Sequence, residues 1–236
     1  MSDKPLGRKN YGSIPHLQDS RLGPTESHIE EGQERIATKE VRDRWDLVIV
    51  QEKLDGSNVG VAKINGEIVA LTRAGYAVST SPYNQHHKFG QYVEREKKRF
   101  DGLLDEGDRV VGEWLLVAHG TMYDLTHEPF VPFDIMREAV RINYHNFLQR
   151  VSLYEFPTPN LLHMGGGLTI KLFEKLIGAG KHGAERVEGG IWRVERKGIV
   201  DFLCKYVRRD KEDGKYFVDD GEVFNDVPPK FEYLKK

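Results

Sequence analysis

The chain has 236 residues, enough for one large domain with a sizeable buried core. Its 35 Lys and Arg stand against 37 Asp and Glu, so the net charge of −2 excludes a global basic field of the kind that coats nucleic acid, and any such surface must be local. One cysteine, Cys204, excludes an internal disulfide and a multi-cysteine zinc site. No apolar run reaches the roughly 18 residues of a membrane span, and the N-terminus lacks the apolar core of a signal peptide, which points to a cytoplasmic protein without a membrane partner.

Residues 1–40 are polar, carry Gly7, Gly12, Pro15, Gly23, Pro24 and Gly32, and hold no sustained period. They read as an arm that packs over the core or is partly disordered, ahead of a single domain over residues 41–236. Asp46 to Gln51, Val59 to Ile64 and Glu67 to Arg73 are β-rich runs, the last two joined by Asn65-Gly66, a strong two-residue hairpin signal. Phe89, Val93 and Phe100 share one helical face, so Gly90 to Phe100 reads as a surface helix with a solvated charge run. Arg109 to Val117 is a further strand. Phe130 to Met136 is another, with Pro132 calling for an edge position or a bulge. Helical spacing of Val140, Tyr144, Phe147, Leu148 and Val151 predicts a helix over Glu138 to Val151, followed by a brief strand at Leu153 to Phe156. Gly165-Gly166-Gly167 lacks the Gly-Lys-Ser/Thr ending of a phosphate loop and reads as a flexible joint. A helix over Leu168 to Ile177 follows, stopped by Gly178-Ala179-Gly180. Glu188 to Glu195 and Ile199 to Val207 are two strands joined at Arg196-Lys197-Gly198, and beyond Arg209 the chain turns charged and aperiodic. About eight strands adjacent in sequence, with three helices, predict an α+β fold with antiparallel sheets.

The stretch that needs a chemical explanation is Glu52-Lys53-Leu54-Asp55-Gly56-Ser57-Asn58, polar residues set between two apolar strands. A lysine amine, with a reference pKa of about 10.4, becomes a nucleophile near neutral pH only by losing its proton through burial or cationic neighbours. Asp55 falls on the same face of an extended segment as Lys53, where it could contact nucleotide or metal, and Gly56 lets the backbone pass close to a ligand. In the last strand, alternation puts Cys204 and Tyr206 on one face and Leu203 and Lys205 on the other, so Lys205 faces a ligand while Cys204 packs away from it. His86, His87, His119 and His127 read as loop histidines without a close carboxylate partner and are poor candidates for metal binding.

Lys53-Leu54-Asp55-Gly56 matches the Lys-x-Asp-Gly nucleophile motif of covalent nucleotidyltransferases, and Thr72-Arg73-Ala74-Gly75, Gly112-Glu113, Phe130-Val131-Pro132-Phe133-Asp134-Ile135, Glu188-Gly189 and Lys205 follow in the order of that superfamily's motifs. The chain resembles the ATP-dependent RNA ligase family, within the superfamily of DNA ligases, RNA ligases and mRNA capping enzymes, across residues 52–208. The resemblance implies an antiparallel-sheet nucleotidyltransferase domain of the ATP-grasp-like ligase adenylation type. It implies three steps: ATP adenylylates Lys53, AMP passes to an RNA 5′-phosphate, and a 3′-hydroxyl displaces AMP to seal the strand. Arg73 would contact ribose or the acceptor phosphate, Glu113 the ribose hydroxyls, Glu52 the adenine amino group, and Phe130, in preference to Phe133, would stack on the base. Glu188 would bind Mg²⁺ or Mn²⁺, with Asp55 as a second candidate ligand, and Lys205 the phosphates. The first of two lysines expected near Lys205 is replaced by Leu203, which leaves Arg193 or Lys197 to serve. Too few residues follow Arg208 for an appended oligonucleotide-binding barrel, so a core enzyme of RNA repair is expected, acting on RNA, including nicked duplex, with help from a partner protein. The alternatives are a ligase for DNA or mixed nicks, a capping guanylyltransferase, and an inactive relative that only binds nucleotide or nucleic acid.

Overall fold

The computed structural model describes residues 4–178, 180–183, 185–218 and 221–236. Its β-branched and aromatic runs pair into two antiparallel sheets. The first contains β1 (Asp46–Lys53), β7 (Leu161–Gly165), β8 (Gly189–Arg196) and β9 (Ile199–Val207), in the order β7-β1-β8-β9. The second contains β2 (Ser57–Ile64), β3 (Glu67–Thr72), β4 (Asp108–Trp114), β5 (Phe130–Arg137) and β6 (Val140–Arg141), in the order β3-β2-β4-β5-β6. The helices are α1 (Glu31–Thr38), α2 (Asn84–Arg95), α3 (Lys97–Leu103), α4 (Tyr144–Leu153) and α5 (Ile170–Leu176). This is the antiparallel α+β class that strand adjacency implied. No helix among the described residues is long and apolar enough to cross a membrane.

Local chemistry explains most of the joints. Asn65 and Gly66 take φ of 53° and 76°, as a tight hairpin between twisted strands requires, and Lys197 and Gly198 repeat the device between β8 and β9. Asn143 caps α4 by accepting from the Asn146 backbone N–H at 2.9 Å. The link from β1 to β2, Leu54-Asp55-Gly56, carries the chain from one sheet to the other. A side chain at Gly56 would put its Cβ 2.4 Å from the Trp114 carbonyl oxygen. The close approach that demands glycine there is therefore to the end of β4.

Strand alternation then sorts most buried side chains into two large cores, beside a small cluster of Tyr11, Val111 and Met136. Val48 and Val50 of β1 pack with Leu17, Ala37, Phe173 and Trp192, under α1, α5 and the N-terminal segment. Ile49 faces the other way, into a larger cluster with Val59, Val110, Phe89, Phe100 and Phe130. Lys53, in phase with Ile49, is thereby aimed between the sheets, and Glu52 falls on the opposite face.

Several elements differ from the sequence expectation. The charged helix begins earlier and is broken at Glu96 into α2 and α3. The expected helix from Glu138 opens as a turn, with Glu138 at φ 52°, and becomes β6 before α4 starts. Leu153 to Phe156 is not a strand; the edge strand is β7, which runs into the triple glycine read as a flexible joint. The polar arm contains α1 and buries Leu17 and Ile29. α5 ends at Leu176, and Ala179 of the expected Gly-Ala-Gly stop lies outside the described residues. Nine strands and five α-helices are thus described where about eight and three were expected.

One buried ionic network joins the two sheets. Asp134 on β5 accepts from Arg193 Nη1 of β8 at 2.7 Å, Arg141 Nε at 3.0 Å and the Tyr11 hydroxyl at 2.9 Å. Its carboxylate is almost wholly enclosed. Replacing it removes one carboxylate from two guanidinium groups, of which Arg193 keeps Glu195 at 2.8 Å and Arg141 is partly exposed, so Asp134→Ala is expected to lose about 3 kcal/mol of stability in urea unfolding, the low end for a broken buried pair. A loss below about 1 kcal/mol would mean that solvent reaches these arginines.

Candidate active site

Between the sheets lies a cavity of about 1010 Å³, walled by Lys53, Arg73, Glu113, Phe133, Arg193 and Lys205 among others. Lys53 ends β1 and opposes Gly189, the first residue of β8. Its Nζ donates to Glu188 Oε2 at 2.5 Å. A Cβ at Gly189 would come 1.9 Å from the Tyr206 carbonyl oxygen, so glycine is what allows β8 to close on β9 and hold Glu188 at this edge. Glu113 reaches in from β4 and accepts from the Gly56 N–H at 3.1 Å.

The charges of Glu188, Glu113 and Asp55 all act on the Lys53 ammonium. Burial alone would push the Lys53 amine down, but Glu188, Glu113 and Asp55 outweigh it and hold the group above its ordinary value. Burial, with Glu188 and Asp55 nearby, raises Glu113 to about 8 despite the attraction of Lys53. Lys53 is thus an ammonium at neutral pH, and Glu113 holds a proton more tightly than an ordinary carboxyl.

Lys205 and Leu203 both line the cavity, while Cys204 is buried in the core behind them. The N-terminal arm holds Lys205 from both sides: its N–H donates to the Pro15 carbonyl at 2.9 Å, and its carbonyl accepts from Leu17 N at 2.9 Å. Its ammonium pairs with Glu26, which also lies 3.0 Å from His16 Nε2. Burial opposes the charge on Glu26, yet the hydrogen bonds from His16 and Lys205 bring its pKa down to about 2. Neither His16 nor Glu26 was legible in the sequence, because the arm has no period that would tie it to β9.

Some sequence candidates fall elsewhere. Phe130 is fully buried among Phe89, Phe100 and Phe156 and forms no part of the cavity wall. The reason is a bulge: Val111 pairs with Asp134 but Gly112 with Pro132, which leaves Phe133 as the extra residue, its ring on the cavity wall 5.2 Å from Tyr11. Asp55 does not line the cavity, and its Oδ2 accepts from Lys211 Nζ at 2.5 Å and Gly120 N at 2.9 Å. Lys211 escaped notice in the charged run after Arg209. Glu52 lines the cavity, and its carboxylate accepts from Asn160 N at 2.8 Å and lies 2.9 Å from His182 Nε2. His182 in turn meets His127, whose pKa burial lowers to about 4. His127 is therefore joined to a carboxylate through a second histidine. Arg73 is exposed at the cavity mouth, donating to Ser13 Oγ at 3.4 Å. Of the two stand-ins for the missing lysine, Arg193 opposes Leu203 across the β8–β9 ladder and lines the cavity, whereas Lys197 sits in the hairpin turn.

Among the described residues no three His, Cys, Asp or Glu side chains gather as a metal cage. The surplus of carboxylate around Lys53 nevertheless suits a cation that takes one or two protein oxygens and keeps other positions for water and phosphate, as Mg²⁺ does.

An uncharacterised protein of Methanocaldococcus jannaschii is 55% identical over 31 residues, which is 13% of this chain and 8% of that protein. Among solved structures, a mutant RNA ligase of Naegleria gruberi without ligand superposes with a TM-score of 0.55 at 16% identity, covering 85% of this chain and 57% of that one. Another mutant of the same ligase, with ATP and Mn, gives 0.54 at 14%, covering 83% and 59%. The chain thus spans little more than half the length of these structures, and at such identities the likeness establishes the fold. The sequence itself matches the family model described as RNA ligase over residues 46–207, a span that runs from the start of β1 to the end of β9 and holds both Lys53 and Glu188; the chain belongs to the RNA ligase family.

Proposed function

We propose that the protein is an ATP-dependent RNA ligase in which Lys53 carries AMP covalently. The observation that supports this most directly is the Lys53–Glu188 pair at 2.5 Å on the wall of a nucleotide-sized cavity. In the first step the Lys53 ammonium gives its proton to Glu188, and the neutral Nζ attacks the α-phosphorus of ATP. A P–N bond forms, the bond to the bridging oxygen of the β-phosphate breaks, and pyrophosphate leaves. An RNA 5′-phosphate oxygen then attacks the same phosphorus and frees the lysine; finally a 3′-hydroxyl attacks the RNA phosphate and AMP departs.

The remaining residues position and neutralise. Glu113, whose carboxyl is held well above the usual range, can share a hydrogen bond with a ribose hydroxyl. Phe133 offers the base an aromatic wall, and Lys205, Arg193 and Arg73 face phosphate oxygens once Glu26 is displaced from Lys205. Glu188 would hold a divalent cation, which when bound would supply positive charge beside the reacting phosphate and the amine. Residues 1–40 would act as part of this site, through His16 and Glu26, within one catalytic unit formed with residues 41–236.

Incubation with radiolabelled ATP and Mg²⁺ or Mn²⁺, followed by a denaturing gel, is expected to label the protein, with an adduct that is labile in acid and stable in alkali. GTP should not substitute. Absence of label from ATP with either metal would refute the reading.

A further inference from the structure

Aromatic exposure in this molecule is concentrated. Of the four markedly exposed aromatic residues among those described, Trp45, Tyr76, Tyr83 and Phe217, the last three line the active-site cavity. Tyr83 and Phe217 are the most open, at 62% and 63% exposure. Both are nonetheless fixed from beneath. The Tyr83 ring meets His86 edge-on, with centroids 5.7 Å apart, and the Tyr83 N–H donates to Ser81 Oγ at 3.2 Å while the same hydroxyl lies 2.6 Å from His86 Nδ1. Phe217 rests against the His119 ring at 4.9 Å, and the backbone of Tyr216 donates to the His119 carbonyl at 2.8 Å.

Gln85 ties these two supports to the nucleophile segment. Its Oε1 accepts from Ser57 Oγ at 2.8 Å and lies 3.2 Å from His119 Nε2. The supports of Tyr83 and Phe217 therefore meet at Gln85, which is bonded to Ser57, four residues along the chain from Lys53, and both rings line the cavity. Held rings with open faces, separated by amide and imidazole groups, make a poor protein-docking patch, which would be continuous and apolar. They make a good surface for planar heterocycles with polar edges. The cavity is also at the upper end of the roughly 300–1,000 Å³ usual for small-molecule sites, which leaves room beside one nucleotide.

We infer that Tyr83 and Phe217 form a stacking platform for the bases of the RNA strand that carries the 5′-phosphate, bringing that phosphate over Lys53 irrespective of base identity. This rests on the ligase reading for its substrate, and the contact itself is non-covalent. Arg73, exposed at the cavity mouth, supplies charge for the strand's backbone.

The test is the binding of a fluorescent single-stranded oligoribonucleotide with a 5′-phosphate, read by anisotropy at fixed low salt with the full chain. Tyr83→Ala and Phe217→Ala should each weaken binding about 10-fold, as loss of one base–aromatic stack does, while Tyr83→Phe should retain it. Because both rings are exposed, thermal unfolding of the variants should match that of the parent chain. An oligonucleotide whose 5′-terminal residues are abasic should bind the parent chain as weakly as the alanine variants do, and should lose nothing further on Tyr83→Ala. Unchanged affinity in both alanine variants, or abasic and alanine losses that multiply, would overturn the inference. Failure of the ligase reading is separately visible, since it removes the AMP adduct of the parent chain without touching the Tyr83 dependence of RNA binding.

Discussion

Lys53→Ala is expected to abolish transfer of label from ATP to the protein, by about 10³-fold or more, because the proposed nucleophile is gone. Lys53→Arg should fail as completely. A guanidinium keeps its proton under any condition the protein survives, so it can hold charge next to Glu188 but cannot attack. The pair of variants separates a covalent role from an electrostatic one: if Lys53→Arg retained even a tenth of the labelling measured on a denaturing gel, the lysine would be a phosphate-binding cation and the nucleophile would lie elsewhere.

The second large effect concerns Glu188, and it has a pH signature. Lys53 is held above its ordinary pKa, so over the neutral and mildly alkaline range only a small fraction is neutral amine, and that fraction rises about tenfold for each unit of pH. Adduct formation in the parent chain should therefore climb with pH until another group limits it. Glu188→Ala removes both a proton acceptor and a positioned carboxylate, and should lower turnover about 10²-fold or more without unfolding the chain. It also removes an acceptor that keeps Lys53 protonated, so the residual rate should begin its rise at lower pH than in the parent. Normal turnover with an unshifted profile would reduce Glu188 to a turn residue before Gly189. A loss of rate with no shift would assign it to charge neutralisation alone.

How much of this was legible depended on distance along the chain. The Asn65-Gly66 hairpin needs two residues with positive φ and nothing else, so composition sufficed to find it. The facing of Lys205 away from Cys204 followed from strict alternation in β9. The same rule, applied to β1, would have turned Glu52 away from Lys53, and the adenine contact assigned to it came from resemblance alone. Phe130 and Phe133 could not be separated, because a bulge inserts one residue opposite Gly112 and only the pairing of β4 with β5 reveals where. α1 was hidden by composition: Glu31-Gly32-Gln33-Glu34-Arg35 has no apolar stripe, and the helix is held by Ala37 and the neighbouring Ile36 against the smaller core. Glu26 and His16 were out of reach for a different reason, since they meet β9 from a segment whose own sequence has no preferred structure.

The two sheets also differ in how they are strung. Strands β2 to β6 follow one another along the chain, whereas β1 finds its partners only after β6, and the Lys53–Glu188 contact joins residues 135 positions apart. A fragment that stops before β7 would carry the whole Lys-Leu-Asp-Gly motif and every strand of the second sheet. It would also carry β1 with both hydrogen-bonding edges bare, an apolar ribbon suited to self-association rather than to chemistry. For genome fragments and truncated clones of this kind, the motif alone is thus a poor guide to activity: the lysine is encoded early, but the place where it can react is completed only when β8 arrives.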